Sequence, residues 1–452
     1  KAIRARMPNQ GQWYELVKWE MPPNDLRVTK PSLVDQKTWD EWSKKIDLKL
    51  KINKSEIQDW ENINQVEMVI ARSFVQNRFR IDTYTTDEGY AYVSPMTPEK
   101  QNAVIKGAAN PEPGQCSYYF ENAYEFVDYP GEWYLNTVSD VVYYKPDANE
   151  IIVNAVAPVA EKLLEIVNTS NISFYGINFQ HTAWNEPSNK GLIQRQSGMH
   201  THSEPDEILY SVNPAAINMT NCNNITFERN VFRQMGANAI NFDKGTRDNL
   251  IIGNVFAEIS DTAIDYAVEN NRLATEVNKN YNDTIRDNYF YKMGDDYWSG
   301  AAIWAFWPDS LKILNNEIDG SGNLGINIGW GANYEQTCFK NVEIKNNRIH
   351  NCANLTNDSG GIHTKSNGSG TVIEENWIYD IGNKPENWLT GTDFPIAGVY
   401  LDDCSTGYTI KNNVFEDING VDVKDKTGKN TVINDNSQIQ DIKFKAGITS
   451  KY

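Results

Sequence analysis

The chain of 452 residues is 40% apolar and 23% charged with 29 Gly and 17 Pro, a composition that excludes disordered, collagen-like and coiled-coil proteins. Its 42 Lys and Arg against 60 Asp and Glu give a net charge of −18 with no segregated basic cluster, which argues against a nucleic-acid partner. No run approaches about 18 apolar residues, so no membrane span is expected. Five cysteines without a CxxC pair argue against a disulfide framework or structural zinc.

The first residues, KAIRARMPN, carry no apolar signal core. Residues 1–165 read as a smaller, irregular α/β region, with a helix-like TWDEWSKKI (38–46), alternating strands in MVIARSFVQNRFRID (68–82) and no internal repeat. We expect this accessory region to pack on a second domain over 166–452.

From about residue 170 the sequence repeats. One ladder has an apolar residue three positions before an Asn, as in ITFERNVF, KILNNEI and TIKNNVF, with anchors Asn230, Asn254, Asn288, Asn316, Asn347, Asn376, Asn413 and Asn436. Their separations of 24, 34, 28, 31, 29, 37 and 23 residues scatter around the length of one coil of a parallel β-helix. An Asn stacked at a bend tolerates left-handed dihedrals and bonds its amide to neighbouring coils. A second ladder puts a small residue before Ile217, Ile240, Ile264, Ile303, Ile326, Ile362, Val399 or Val421, the expected inner column. The predicted fold is all-β, a right-handed parallel β-helix of the pectate-lyase-like kind.

Coils stack about 4.8 Å apart, so outward residues of successive rungs become neighbours. The residues after each Ile or Val are Asn218, Asn241, Asp265, Trp304, Asn327, His363, Tyr400 and Asp422; two further on come Thr220, Asp243, Ala267, Phe306, Gly329, Lys365, Asp402 and Lys424. Such a mixture of carboxylates, His, Lys, Tyr and Trp differs from the interchangeable Ser, Thr, Lys and Glu of a solvated face. Long loops after Ile264, Ile326 and Ile362 would wall a cleft, with Trp304 and Trp330 as surfaces for sugar rings. Trp298, Trp307, Trp377 and Trp388 share these loops and rungs.

Asp358 precedes one rung and the Asp402–Asp403 turn ends the next, so a bond between them would meet an acid and a nucleophile or base. Adjacent Asp402 and Asp403 cannot point the same way: strict alternation turns Asp402 outward, but the turn at Cys404–Gly407 is able to reverse the choice, so both stay open as the second carboxylate. The competing assignment for each Asp is a turn cap. Asp243 and Asp265, with Asp261 nearby, form an alternative pair, and Asp295 and Asp296 lie on an inserted loop. MHTHSEPDE (199–207) resembles a metal loop in composition, but HxH lacks a third spaced ligand, so no metal is assigned.

Stretches across nearly the whole chain resemble β-helix glycoside hydrolases, most closely family 141: RARMPN (4–9), FENAYEFVDYPGEWYLNTVSDVVYYKP (120–146), NISFYGINFQHTAW (171–184), GINIGWG (325–331), NDSGGIHT (357–364), ENWIYDIG (375–382) and GVYLDDCSTGYTIKNNVF (398–415). The resemblance implies fucosidase or xylanase activity, two acidic catalytic residues falling on Asp358 and on Asp402 or Asp403, and a preceding segment of the same protein. GGIHTKSNG replaces the family's GAIY followed by Gly-Arg, so His363 and Lys365 would offer a sugar something different. With Tyr400, Trp304, Trp330, Asp265 and Asp243 they form the expected substrate-binding set. We expect a secreted, periplasmic or cell-surface bacterial enzyme acting on plant or host glycan without a cofactor, although bound calcium would suit a polyanionic substrate. The alternatives are a uronate lyase or epimerase, kept open by Lys365, and a non-catalytic carbohydrate-binding β-helix.

Overall fold

The computed structural model describes all residues except 1, 21–34, 107–114, 153, 197, 204–207, 269–271, 392, 393 and 434–438. Residues 1–156, 185–211 and 385–393 form one unit; residues 157–184, 212–384 and 394–452 form the other. A single cut between 165 and 166 would fall inside the strand Leu164–Val167. Two later segments join the first unit because they complete its sheet: Leu192–Arg195 pairs antiparallel with Val75–Thr86, and Ser117 N donates to Leu389 O at 2.9 Å.

The first unit is built on antiparallel strands. Glu67–Arg72 and Val75–Thr86 form the hairpin expected from their alternation, and the far half of Val75–Thr86 pairs with Tyr90–Pro95. Their inward residues bury Met68, Ile70, Phe79, Ile81 and Val93 with Trp19, Trp60 and Phe120. On the other face of the same strands Arg78 reaches Glu67 at 3.0 Å and Glu121 at 2.6 Å, so the buried charges are compensated. The predicted helix is Gln36–Ser43, capped where Asp35 accepts from Thr38 N at 2.9 Å. Its Trp39 and Trp42, three apart on one face, join Ile46, Val104 and Ile105 in a second cluster.

The second unit is a solenoid of three parallel sheets with nine, nine and eight strands among the described residues. In the first sheet Ile217, Ile240, Ile264, Ile303, Ile326, Ile362 and Val399 stand in register, all fully buried. The last rung departs from expectation: Val399 pairs with Val423, while Val421 pairs with Ala397 and is 46% exposed. The third sheet fills its side of the lumen with Phe232, Phe256 and Phe290, stacked at 4.6 and 4.9 Å.

The predicted Asn ladder closes the corner between the second and third sheets. Each Nδ2 donates to the Oδ1 of the next rung from Asn230 through Asn413 at 2.9–3.0 Å, and each backbone N–H donates to the same oxygen. Left-handed backbone, however, belongs to the residue before each anchor, including Arg229, Asp287, Asn315, Asn346, Glu375 and Asn412, at φ 52–55°. The anchor's side chain satisfies its neighbours while the residue ahead of it turns the corner. Asn436 lies outside the described residues.

Candidate active site

On the outer side of the first sheet, Asn327, His363 and Tyr400 are register partners on three consecutive rungs. All three face away from the lumen yet are fully buried. Asn327 Nδ2 donates to Gly329 O at 3.1 Å, which leaves Asn327 Oδ1 to accept from His363 Nδ1. That bond fixes one proton on Nδ1 and aims His363 Nε2 at Asp402 Oδ2, 3.4 Å away.

Asp402 follows the strand Ile396–Leu401 and is 1% exposed. Lys365 Nζ lies 3.3 Å from its Oδ2, and Lys426 Nζ forms an ion pair with its Oδ1. Burial alone would raise this carboxyl, but His363, Lys365 and Lys426 together hold it well below the usual carboxylate range.

Asp358 enters the same cluster from the start of the strand Ser359–Thr364, in left-handed backbone at φ 54°. Its Oδ1 accepts from the Tyr400 hydroxyl at 2.9 Å. Burial raises its pKa and the negative charge of Asp402 adds to that, outweighing His363, Tyr400 and Lys426. Two carboxyls on adjacent rungs are thus pushed in opposite directions, one towards the acid and one towards the anion.

The other expected residues divide. Asp403 is exposed, 3.5 Å from Lys426, so alternation holds and only Asp402 joins the cluster. Trp304 is fully buried, with Trp330 and Phe306 rings 6.5 and 6.2 Å away, and offers no face to a sugar; Trp330 remains partly exposed. Asp265 is fully buried and accepts from Asn238 Nδ2 at 2.7 Å, whereas half-buried Asp243 accepts from Thr220 Oγ1 at 2.7 Å, so they make no shared pair in these contacts. Burial raises Asp261 to about 7, and burial followed by the charge of Asp261 raises Asp265 well above its ordinary value.

The remaining tryptophans scatter as well. Trp377 stacks on Tyr379 in the third sheet at 4.4 Å, and Trp388 belongs to the first unit beside Trp13. His200 sits on the strand Met199–Ser203 of the first unit, while Glu204 and Asp206 lie outside the described residues. Among the described residues no three His, Cys, Asp or Glu gather into a group that could hold a metal.

Sequence reasoning missed two lysines. Lys426 was hidden by the register of the last rung: aligning Val421 with Val399 placed Lys424 beside Asp402, whereas the true pairing of Tyr400 with Lys424 brings Lys426 there. Lys384 is half-buried, its Nζ donating to Ala353 O at 3.1 Å and to Thr356 O, and so ties down the loop that leads into Asp358. Burial lowers its pKa to about 8. No local sequence pattern marks it.

Comparison with known proteins adds the family context. Residues 277–450 match a family described as "Right handed beta helix region", and residues 1–147 match the "GH141 insertion domain". A solved structure described as "Glycoside hydrolase" superposes with a TM-score of 0.78 at 21% identity, covering 100% of this chain and 78% of that one. A structure of XylC with xylose covers 82% of this chain and 63% of that one at 9% identity, and its TM-score of 0.34 carries no argument. No curated protein matches the sequence. The chain is a right-handed parallel β-helix protein that resembles the glycoside hydrolases of family 141.

Proposed function

We propose that the protein hydrolyses glycosidic bonds with Asp358 as general acid and Asp402 as nucleophile. The observation that carries this reading is the opposed displacement of two carboxyls that meet around Tyr400. Asp358, whose pKa is raised by burial and by its anionic neighbour, gives its proton to the leaving oxygen. Asp402 attacks the anomeric carbon, forming a glycosyl ester as the bond to that oxygen breaks. Asp358, now ionised, takes a proton from water, whose oxygen displaces Asp402 from the sugar and leaves the anomeric configuration retained. Lys365, Lys426 and His363 keep Asp402 anionic until attack, Tyr400 orients Asp358, and Trp330 offers a partly exposed ring at the edge of the same face.

The resemblance to family 141 makes α-L-fucosides and xylan of plant or host origin the first substrates to assay, and an extracellular or periplasmic setting fits such polymers. The decisive experiment compares leaving groups. Asp358→Asn should lose activity on natural glycans yet release dinitrophenol from a dinitrophenyl glycoside in a fast burst of about one equivalent per site, because that leaving group needs no proton, followed by slow turnover, because Asp358 is also the base for water; Asp402→Asn should lose both the burst and the turnover. Equal activity of both folded variants and the native protein on a verified substrate would sink the assignment.

A second reading rests on the two lysines. Lys365 and Lys426 around Asp402 also fit a uronate lyase or epimerase, in which a cation neutralises the substrate carboxylate and a base removes the neighbouring proton. Its product settles the choice: a lyase yields an unsaturated uronide that absorbs in the ultraviolet, an epimerase an unbroken polymer of changed configuration.

A further inference from the structure

On the third sheet, away from the Asp358 cluster on the first, the residue before the closing turn is left-handed on successive rungs. Gln234, Glu258, Lys292, Asn351, Asp380 and Asp417 occupy this column at φ 50–57°, and each carries a polar side chain. Gly320, at φ 100°, falls in the column between Lys292 and Asn351 and carries none. Gly320 lies in the lining of a notch of about 360 Å³.

Tyr291 and Lys292 stand on one wall of the notch, and Asn351 and Asn354 on the other. The Tyr291 ring is 37% exposed and is steadied by a stack on Tyr289 at 6.3 Å. Asp319 is fixed in place by Asn351 Nδ2 at 2.7 Å and the Tyr289 hydroxyl at 3.2 Å. Asp295 adds a second carboxylate at the rim.

This chemistry selects among ligands. Two carboxylates oppose a phosphate or sulfate, and the apolar lining is too small for a lipid tail. A glycan satisfies all of it: a pyranose face lies on the tyrosine ring, and adjacent hydroxyls bridge carboxylate, amide and ammonium. The volume lies at the small end of ligand pockets and suits a short stretch of saccharide. We propose that the Gly320 notch is a second carbohydrate-binding site for a neutral glycan, separate from the Asp358–Asp402 site. It takes from the proposed function only the class of ligand.

The test uses the full chain with Asp358→Asn and Asp402→Asn, so that nothing is consumed. Electrophoresis in gels containing arabinoxylan, xyloglucan or mixed-linkage β-glucan should retard it in at least one. Hydrogen exchange with xylohexaose or cellohexaose should show protection of residues 289–295 and 317–322. Adding Tyr291→Ala and Asn351→Ala should weaken retardation by about fivefold or more and abolish that protection, whereas Trp330→Ala should leave the protection intact. Gly320→Asn, which refills the column, should act like the double substitution; if it does not fold, Tyr291→Ala with Asn351→Ala decides. The proposal is overturned if no glycan retards the protein, or if retardation and protection survive the wall substitutions. Loss of turnover in the Asp358 and Asp402 variants bears only on the proposed function, so the two readings fail separately.

Discussion

Two columns run along the solenoid under the same rise per rung, and they differ in what they repeat. At the corner between the second and third sheets every described anchor is Asn, and each makes the same pair of bonds to the next. On the outer side of the first sheet the register partners change identity at every step, from Asp265 through Trp304, Asn327 and His363 to Tyr400. The scaffold is the same in both places, so the contrast isolates side-chain chemistry: repetition satisfies the backbone, and divergence gathers groups that no repeat would bring together.

The largest expected effect sharpens the divergent column. Asp402→Asn should lower kcat on a verified substrate by about four orders of magnitude and also lower the melting temperature, since it leaves Lys365 and Lys426 without their buried partner, and adding Asp358→Asn should lower kcat little further, because the two act on one transition state. Comparable losses from single and double variants in steady-state kinetics would confirm the unit.

The repeating column should answer in stability instead. Asn316 Nδ2 donates to Ile285 O and Asn347 Oδ1, and its own Oδ1 accepts from Asn288. Asn316→Ala strands buried partners on both rungs and should cost about 2–4 kcal/mol in urea unfolding, with kcat/KM nearly unchanged. A large loss of activity without loss of stability would break the comparison.

Lys426→Met tests the charge balance. Removing this cation should raise the Asp402 pKa, so kcat/KM should fall further at the acid end of the profile in the variant than in the native protein. The stability contributed by the depressed carboxyl is present above the ordinary Asp range and fades as pH falls through the folded value; the variant should lose part of it.

Asp261 works with the opposite sign. Its folded pKa, raised to about 7, exceeds the unfolded one, so its protonated form favours the native state and stability falls as pH rises from about 4 to about 7. Asp261→Asn should flatten that slope by up to about 1.4 kcal/mol per pH unit and raise the melting temperature at pH 8 relative to the native protein. The smallest effect is reserved for Trp330→Ala, which should raise KM severalfold while leaving stability nearly unchanged. A dominant loss of melting temperature would assign Trp330 to packing against Phe306, 5.8 Å away.

The sequence made the scaffold legible because a period needs only a few repeated letters: the Asn anchors and the small-Ile pairs fixed seven of the rungs in their observed register. Where one rung presents Val twice, at Val421 and Val423, the same rule offers two registers, and taking the first concealed Lys426. Alternation correctly separated Asp402 from Asp403, since it reports the side of the strand. It does not report what lies above that side, which is why Trp304 and Asp265 face outward and are nevertheless buried. Lys384 reaches carbonyls about 30 residues away through a loop, and neither period nor composition encodes such a contact.

The ladder's bonds join residues 24, 34, 28, 31, 29 and 37 positions apart, the spread reflecting loops that leave one coil without disturbing the next. Few of the contacts that define the solenoid therefore require distant parts of the chain to meet. A finished coil presents an open edge of donors and acceptors that the following segment can add to, so each coil is a template for the next, as in other arrays whose units touch only their neighbours.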